Sequence, residues 1–141
     1  YVGPSGTANR LKLIHQTLVA GHAVAVAEAL ALCLMTDTDI ETFYEIVCEG
    51  GGFAHSRYFE NRVPRMRSGE FSPLFMLQFM LKDARLASDL VEGVEEKMPV
   101  LSHVVKTLEE GMSGGWGRED FSAVMHVLEK RAGKSVVKAS L

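Results

Sequence analysis

The chain has 141 residues, 47% of them hydrophobic and 23% charged, with a formal net charge of −3. Those figures describe one soluble globular domain long enough to bury a core. They leave no electrostatic footprint for nucleic acid or an anionic membrane surface, so neither is an expected partner.

The chain opens at Tyr1 without a basic-then-apolar leader pattern, so it reads as a domain excised from a longer cytoplasmic protein. Pro4-Ser5-Gly6-Thr7 is turn chemistry, with Ser5 or Thr7 available as a helix cap. From Ala8 to Met35 there is no proline and one glycine, which predicts a helix of roughly 40 Å at the usual rise per residue. The stretch from Thr17 to Met35 is apolar enough to suggest a membrane span. Its alanines, His22 and Glu28 favour a buried spine instead, with Glu28 as an interior carboxylate in need of a partner.

Asp37 or Thr38 is expected to cap a second helix, Asp39 to Glu49, which the Gly50-Gly51-Gly52 run stops. A short helix around Ala54 to Asn61 leads to Pro64. Arg62, Arg65 and Arg67 read as a solvated basic face. Ser72-Pro73 has the form of an N-cap followed by proline at the first helical position, which predicts a long helix to Met98 with a weak point at Gly93. Pro99 starts another helix, ending at Gly111. After a loop from Met112 to Gly117, a last helix runs to Arg131 and stops at Gly133, leaving residues 134–141 as a frayed tail. No segment alternates with period two. The expected fold is all-α, with residues 1–133 as one domain.

Cys33 and Cys48 fall inside helical patterns and read as reduced core thiols; no Cys/His spacing suggests a metal. On the first helix Lys12, His15 and Gln16 share a stripe, while Leu11, Ile14 and Leu18 are expected to face the core. An ammonium beside two uncharged hydrogen-bonding groups suits a hydroxy acid, because lysine changes protonation readily when partly desolvated. Spacing alone reads more simply as a surface lysine with solvated neighbours. Phe71, Phe75 and Phe79 repeat at four, and Lys82 and Leu86 continue that face. Pattern alone makes this a core stripe from which Lys82 reaches solvent, with Asp83 and Arg85 as ordinary solvent-facing charges.

Gly3, Gly6 and Lys12 stand in the register of the glycine-and-lysine motif of the β-hydroxyacid dehydrogenases, the family of 3-hydroxyisobutyrate dehydrogenase, with Ala8 in place of its third glycine. His15-Gln16 replaces the family's Asn-Asn pair, which resembles its L-threonate dehydrogenase branch, as does Phe59-Glu60-Asn61-Arg62-Val63-Pro64. Gly69, Phe71, Phe75, Lys82, Asp83, Leu86 and Ala87 match a second family pattern, and Gly115-Trp116-Gly117-Arg118-Glu119-Asp120-Phe121-Ser122 matches a turn before the last helix.

The resemblance implies a helical domain of the 6-phosphogluconate dehydrogenase C-terminal type, built around one long spine helix. It implies Lys12 as catalytic acid/base, Gln16 and His15 at a short hydroxy acid such as threonate, and Lys82 and Phe75 at an NAD or NADP cofactor. It also implies self-association.

No strand precedes a Gly-x-Gly-x-x-Gly turn anywhere in the chain, and the resemblance implies that an N-terminal Rossmann domain lying outside it holds most of the cofactor. On that expectation the chain alone is inactive. The rival expectation is a non-catalytic helical oligomerisation or interaction module derived from the same fold.

Overall fold

The computed structural model describes residues 1–50 and 52–137, so the middle of the triple-glycine run and residues 138–141 lie outside the described residues. Among the described residues the chain is helical, as the absence of period-two patterning predicts. The elements are α1 Thr7–Met35, α2 Ile40–Glu49, α3 Arg57–Arg67, α4 Leu77–Ser88, α5 Val94–Lys97, α6 Pro99–Ser113 and α7 Met125–Ala132. A 3₁₀ helix at Phe121–Val124 precedes α7.

α1 is the spine and packs against α4, α6 and α7. It is long enough to span a bilayer, and its apolar 18-residue stretch has a mean hydropathy of 2.0, yet it lies within the helical packing of the domain. Its core side is a stripe of small residues, Ala20, Ala23, Ala27 and Ala31, which lets neighbouring helices approach closely. The 3.6-residue period puts Lys12 and Gln16 on that same side. Leu11, Ile14 and Leu18 therefore lie on the far side, 49%, 56% and 63% exposed, rather than in the core where the sequence suggested. Glu28 also faces outward, 3.4 Å from the Nε2 of His103, and is not an interior carboxylate.

Several boundaries differ from expectation, each for a local reason. Gly6, at φ 87° in the left-handed region, precedes α1 and neither Ser5 nor Thr7 caps it. Asp39 caps α2, accepting from the Thr42 amide at 2.8 Å, while Asp37 takes a positive φ of 53° in the preceding turn. α3 runs through Pro64 to Arg67. Proline removes the amide that would reach the Glu60 carbonyl, and the Tyr44 hydroxyl donates to that carbonyl at 3.2 Å instead.

The Ser72-Pro73 pair does not start a helix. The segment it opens stays non-helical because the buried Asp120 carboxylate accepts from the Leu74 and Phe75 amides at 3.1 and 3.2 Å. α4 begins only at Leu77, where the Leu77 and Gln78 amides donate to Glu119 and Gly117 carbonyls of the glycine-rich loop. Phe71 and Phe75 accordingly lie before the helix and do not extend a helical stripe.

The three arginines are paired rather than solvated: Arg62 with Asp120, Arg65 with Glu70 and Arg67 with Glu41. The described part of the tail is docked. Lys134 donates to the Leu34 carbonyl at 2.7 Å, and the Val136 amide donates to Glu129 at 2.7 Å. Cys33 is buried, Cys48 half-buried, and both are free thiols.

Candidate active site

The first turns of α1 lie against α4, and one carboxylate organises their contact. Asp83 sits on the face of α4 that carries Met80, Ala84 and Ala87, and its residue is 1% exposed. Its Oδ2 accepts from the Gln16 Nε2 at 3.2 Å and lies 3.3 Å from the Lys12 Nζ. Its Oδ1 lies 3.4 Å from the Lys82 Nζ. Burial pushes this carboxyl toward its neutral form, but the Gln16 amide, the Lys12 ammonium and then Lys82 outweigh that and hold it below the usual aspartate range.

Three of the five sequence-derived site residues thus meet: Lys12 and Gln16 from α1, and Lys82 from α4. Both lysine side chains remain 60% exposed, so each keeps a face for a ligand. His15 is exposed on the same end of α1, and among the described residues it has no hydrogen-bond or ion-pair partner. Phe75 is half-buried, its ring centroid 6.2 Å from those of both Phe79 and Phe121. Asp120 fixes its backbone. Phe79, 45% exposed, is the ring that shares α4 with Lys82. The site is an open face: the 790 Å³ depression between α6 and α7 is lined by other residues, among them Lys106, Trp116 and Lys130.

Asp83 is the residue that sequence reasoning missed, since it read as a solvent-facing charge. The signal was present. Asp83 falls three after Met80 and four before Ala87, the spacing of a core face. A carboxylate among apolar neighbours at helical spacing needs buried partners.

This geometry accompanies clear relatives. Residues 6–128 match a family model described as "NAD-binding of NADP-dependent 3-hydroxyisobutyrate dehydrogenase". The chain belongs to the 3-hydroxyisobutyrate dehydrogenase family. It is 30% identical over 122 residues to an L-threonate dehydrogenase of Haemophilus influenzae, covering 86% of this chain and 40% of that protein. It is 29% identical over 137 residues to a 2-(hydroxymethyl)glutarate dehydrogenase of Eubacterium barkeri, covering 96% and 45%.

A solved 3-hydroxyisobutyrate dehydrogenase from Salmonella typhimurium superposes with a TM-score of 0.79 at 29% identity, covering 86% of this chain and 42% of that one. A Mycobacterium tuberculosis 3-hydroxyisobutyrate dehydrogenase solved with L-serine, at 22% identity and a TM-score of 0.77, shares the fold over 90% of this chain and 45% of that one. The chain therefore spans less than half the length of these relatives.

The family match corrects two expectations. The described residues are all-helical as predicted, but the domain matched is described by NAD binding, which overturns its assignment to the 6-phosphogluconate dehydrogenase C-terminal type. The same description overturns the placement of the cofactor mainly on a Rossmann domain outside the chain. That placement rested on the missing Gly-x-Gly-x-x-Gly turn, and the turn is one route to a dinucleotide among others. Exposed ammonium groups beside aromatic rings also complement phosphates and an apolar ring, and the face around Lys82, Phe79 and Phe75 offers both.

Proposed function

We propose that this chain carries the proton-handling face of an NAD(P)-dependent hydroxyacid dehydrogenase that oxidises a short polyhydroxy acid of the threonate kind. The observation that carries the reading is the convergence of Lys12, Gln16 and Lys82 on the buried Asp83 carboxylate. Relatives named for L-threonate and 2-(hydroxymethyl)glutarate support the substrate class.

In this reading Lys12 takes the hydroxyl proton as the carbinol carbon is oxidised and returns it in the reverse direction. The dinucleotide, when bound, supplies the hydride acceptor. Lys82 meets its phosphates or polar edges, and Phe75 with Phe79 keeps water from the reacting carbon. His15 and Gln16 orient the acid. A carboxylate only accepts hydrogen bonds, so Gln16 must turn its amide nitrogen to Asp83. Its Oε1 is then an acceptor for a substrate hydroxyl, which suits a polyhydroxy acid better than a simple one. Self-association and a cytoplasmic location belong to the same proposal.

The test is NADH or NADPH formation by the full-length polypeptide against a panel of short hydroxy acids, comparing wild type with Lys12→Ala. Loss of about 10² or more in rate is the expected result for a missing general acid/base. Wild-type inactivity on every acid would leave a non-catalytic helical module as the better reading.

A further inference from the structure

We propose that Asp83 is the positioning residue of this site, a shared counter-ion that clamps Lys12 and Gln16 of α1 to Lys82 of α4 and so fixes where the proton acceptor stands relative to the cofactor-side lysine. Its catalytic consequence rests on the dehydrogenase reading above; its structural consequence does not.

Three observations carry the inference. A carboxylate in a helix face otherwise built from Met80, Ala84 and Ala87 costs desolvation that an apolar residue would avoid, so a fold selected for stability alone has no use for it. Its partners come from two helices and consist of the site's own polar groups. Oδ2 takes the Gln16 amide and Lys12 together, while Oδ1 has Lys82 at 3.4 Å and no hydrogen bond of good geometry. Finally, the charges balance usefully. With Lys12 as the neutral amine that accepts the hydroxyl proton, Lys82 and Asp83 offset each other, and once the proton is taken two ammonium groups and one carboxylate leave a formal +1. Without Asp83 that state would put two like charges on one face with no counter-ion between them.

The geometry also ranks the two lysines. Lys12 pairs with Oδ2, the oxygen that the Gln16 amide holds in place. Lys82 rests on the under-used oxygen and is freer to turn toward a bound phosphate. A ligand that draws Lys82 away leaves Asp83 to Lys12 and Gln16 alone, without dismantling the clamp.

The experiment compares wild type, Asp83→Asn, Asp83→Glu and Lys12→Ala in the full-length polypeptide. Asparagine keeps the shape and an acceptor for Gln16, so thermal melting should show a folded variant. Expected for Asp83→Asn is a fall in kcat of about 10²-fold, as for a displaced reacting group, with a smaller change in KM for the cofactor. Asp83→Glu should recover part of the rate. A KM for the cofactor that rises as far as kcat falls, or a glutamate variant no better than asparagine, overturns the proposal.

Failure of the dehydrogenase reading shows separately, as wild-type inactivity on every acid, and failure of the Lys12 assignment as a Lys12→Ala variant that keeps wild-type activity. In either case the clamp is judged on the 141-residue chain with ¹³C-methylated lysines. The Lys12 and Lys82 resonances should both follow Asp83 protonation at acid pH in wild type and cease to do so in Asp83→Asn. Resonances indifferent to Asp83 overturn it.

Discussion

Arg62 donates from Nε to the Oδ1 of Asp120 at 3.1 Å, with the carboxylate fully buried and the arginine side chain 16% exposed. The same carboxylate accepts from the Leu74, Phe75 and Ser122 amides. One ion pair therefore fixes the chain that presents Phe75 and the loop that starts α4. Removing one partner of a buried pair strands the other, at a cost of about 3–5 kcal/mol. Asp120→Ala should lose at least as much as Arg62→Met, because it also orphans three amides. Urea unfolding of the two variants checks this; losses under 1 kcal/mol would show that the pair is peripheral to the fold.

His126 gives the chain a pH-dependent tie. Its Nδ1 lies 2.9 Å from Glu129 and its Nε2 3.3 Å from Glu119, while Phe71 and Trp116 pack on its ring. The Glu129 hydrogen bond raises its pKa from the ordinary 6.5 against the opposing effect of burial. Burial raises Glu129, but His126 and the Val136 and Ser135 donors more than reverse that and hold it below the ordinary 4.5.

The histidine's contribution is thus fully present below pH 6.5 and lost as pH rises through its raised folded value. The glutamate's is present above pH 4.5 and lost as pH falls through its lowered folded value. The melting temperature should peak between those two limits and fall on the alkaline side. His126→Gln should flatten the alkaline fall; an unchanged slope would show that His126 does not titrate with folding.

The contrast between Lys12 and Asp83 shows what the sequence could reveal about the site. Lys12, Gln16 and Lys82 were found by resemblance, and the structure brings them together. Asp83 was passed over because an aspartate between lysine and alanine looks solvated until the burial of its helix face is known. Helix order was legible from glycine, proline and period, but not helix number: the one helix expected from Ser72 to Met98 is two, Leu77–Ser88 and Val94–Lys97, with Gly93 in the left-handed region before the second. The ends were not legible either, because they are set by partners far away in sequence: Asp120 holds 72–76 out of a helix, and Tyr44 carries α3 past Pro64. Leu11, Ile14 and Leu18 were misplaced for a related reason. α1 carries apolar residues on every side, so its core face cannot be chosen by hydrophobicity, and only the alanine stripe identifies it.

His15 separates substrate recognition from folding. It is exposed and has no partner among the described residues, so His15→Ala should change stability by less than about 0.5 kcal/mol. If it orients the acid, KM for the acid should rise several-fold while KM for the cofactor stays within error. Gln16→Ala should raise KM for the acid too, but with some loss of stability, since it withdraws a donor from Asp83. Equal effects of His15→Ala on both constants would remove it from the substrate side of the site.

The proposed self-association has a candidate surface on the far side of α1. Leu11, Ile14 and Leu18 continue toward Met98 and Val100, which are 48% and 72% exposed, and Leu18 shares a depression of about 350 Å³ with Met98, Pro99, Val100 and Leu101. Apolar side chains grouped in this way mark contact surfaces more often than solvated ones. A charge at the centre of the group should oppose any assembly that buries it, at a cost the fold itself does not bear, because Leu18 is 63% exposed. Leu18→Glu should therefore leave the melting profile of a dilute sample near wild type while shifting sedimentation toward the monomer. A wild-type chain that sediments as a monomer at every concentration would assign this stripe no role in self-association.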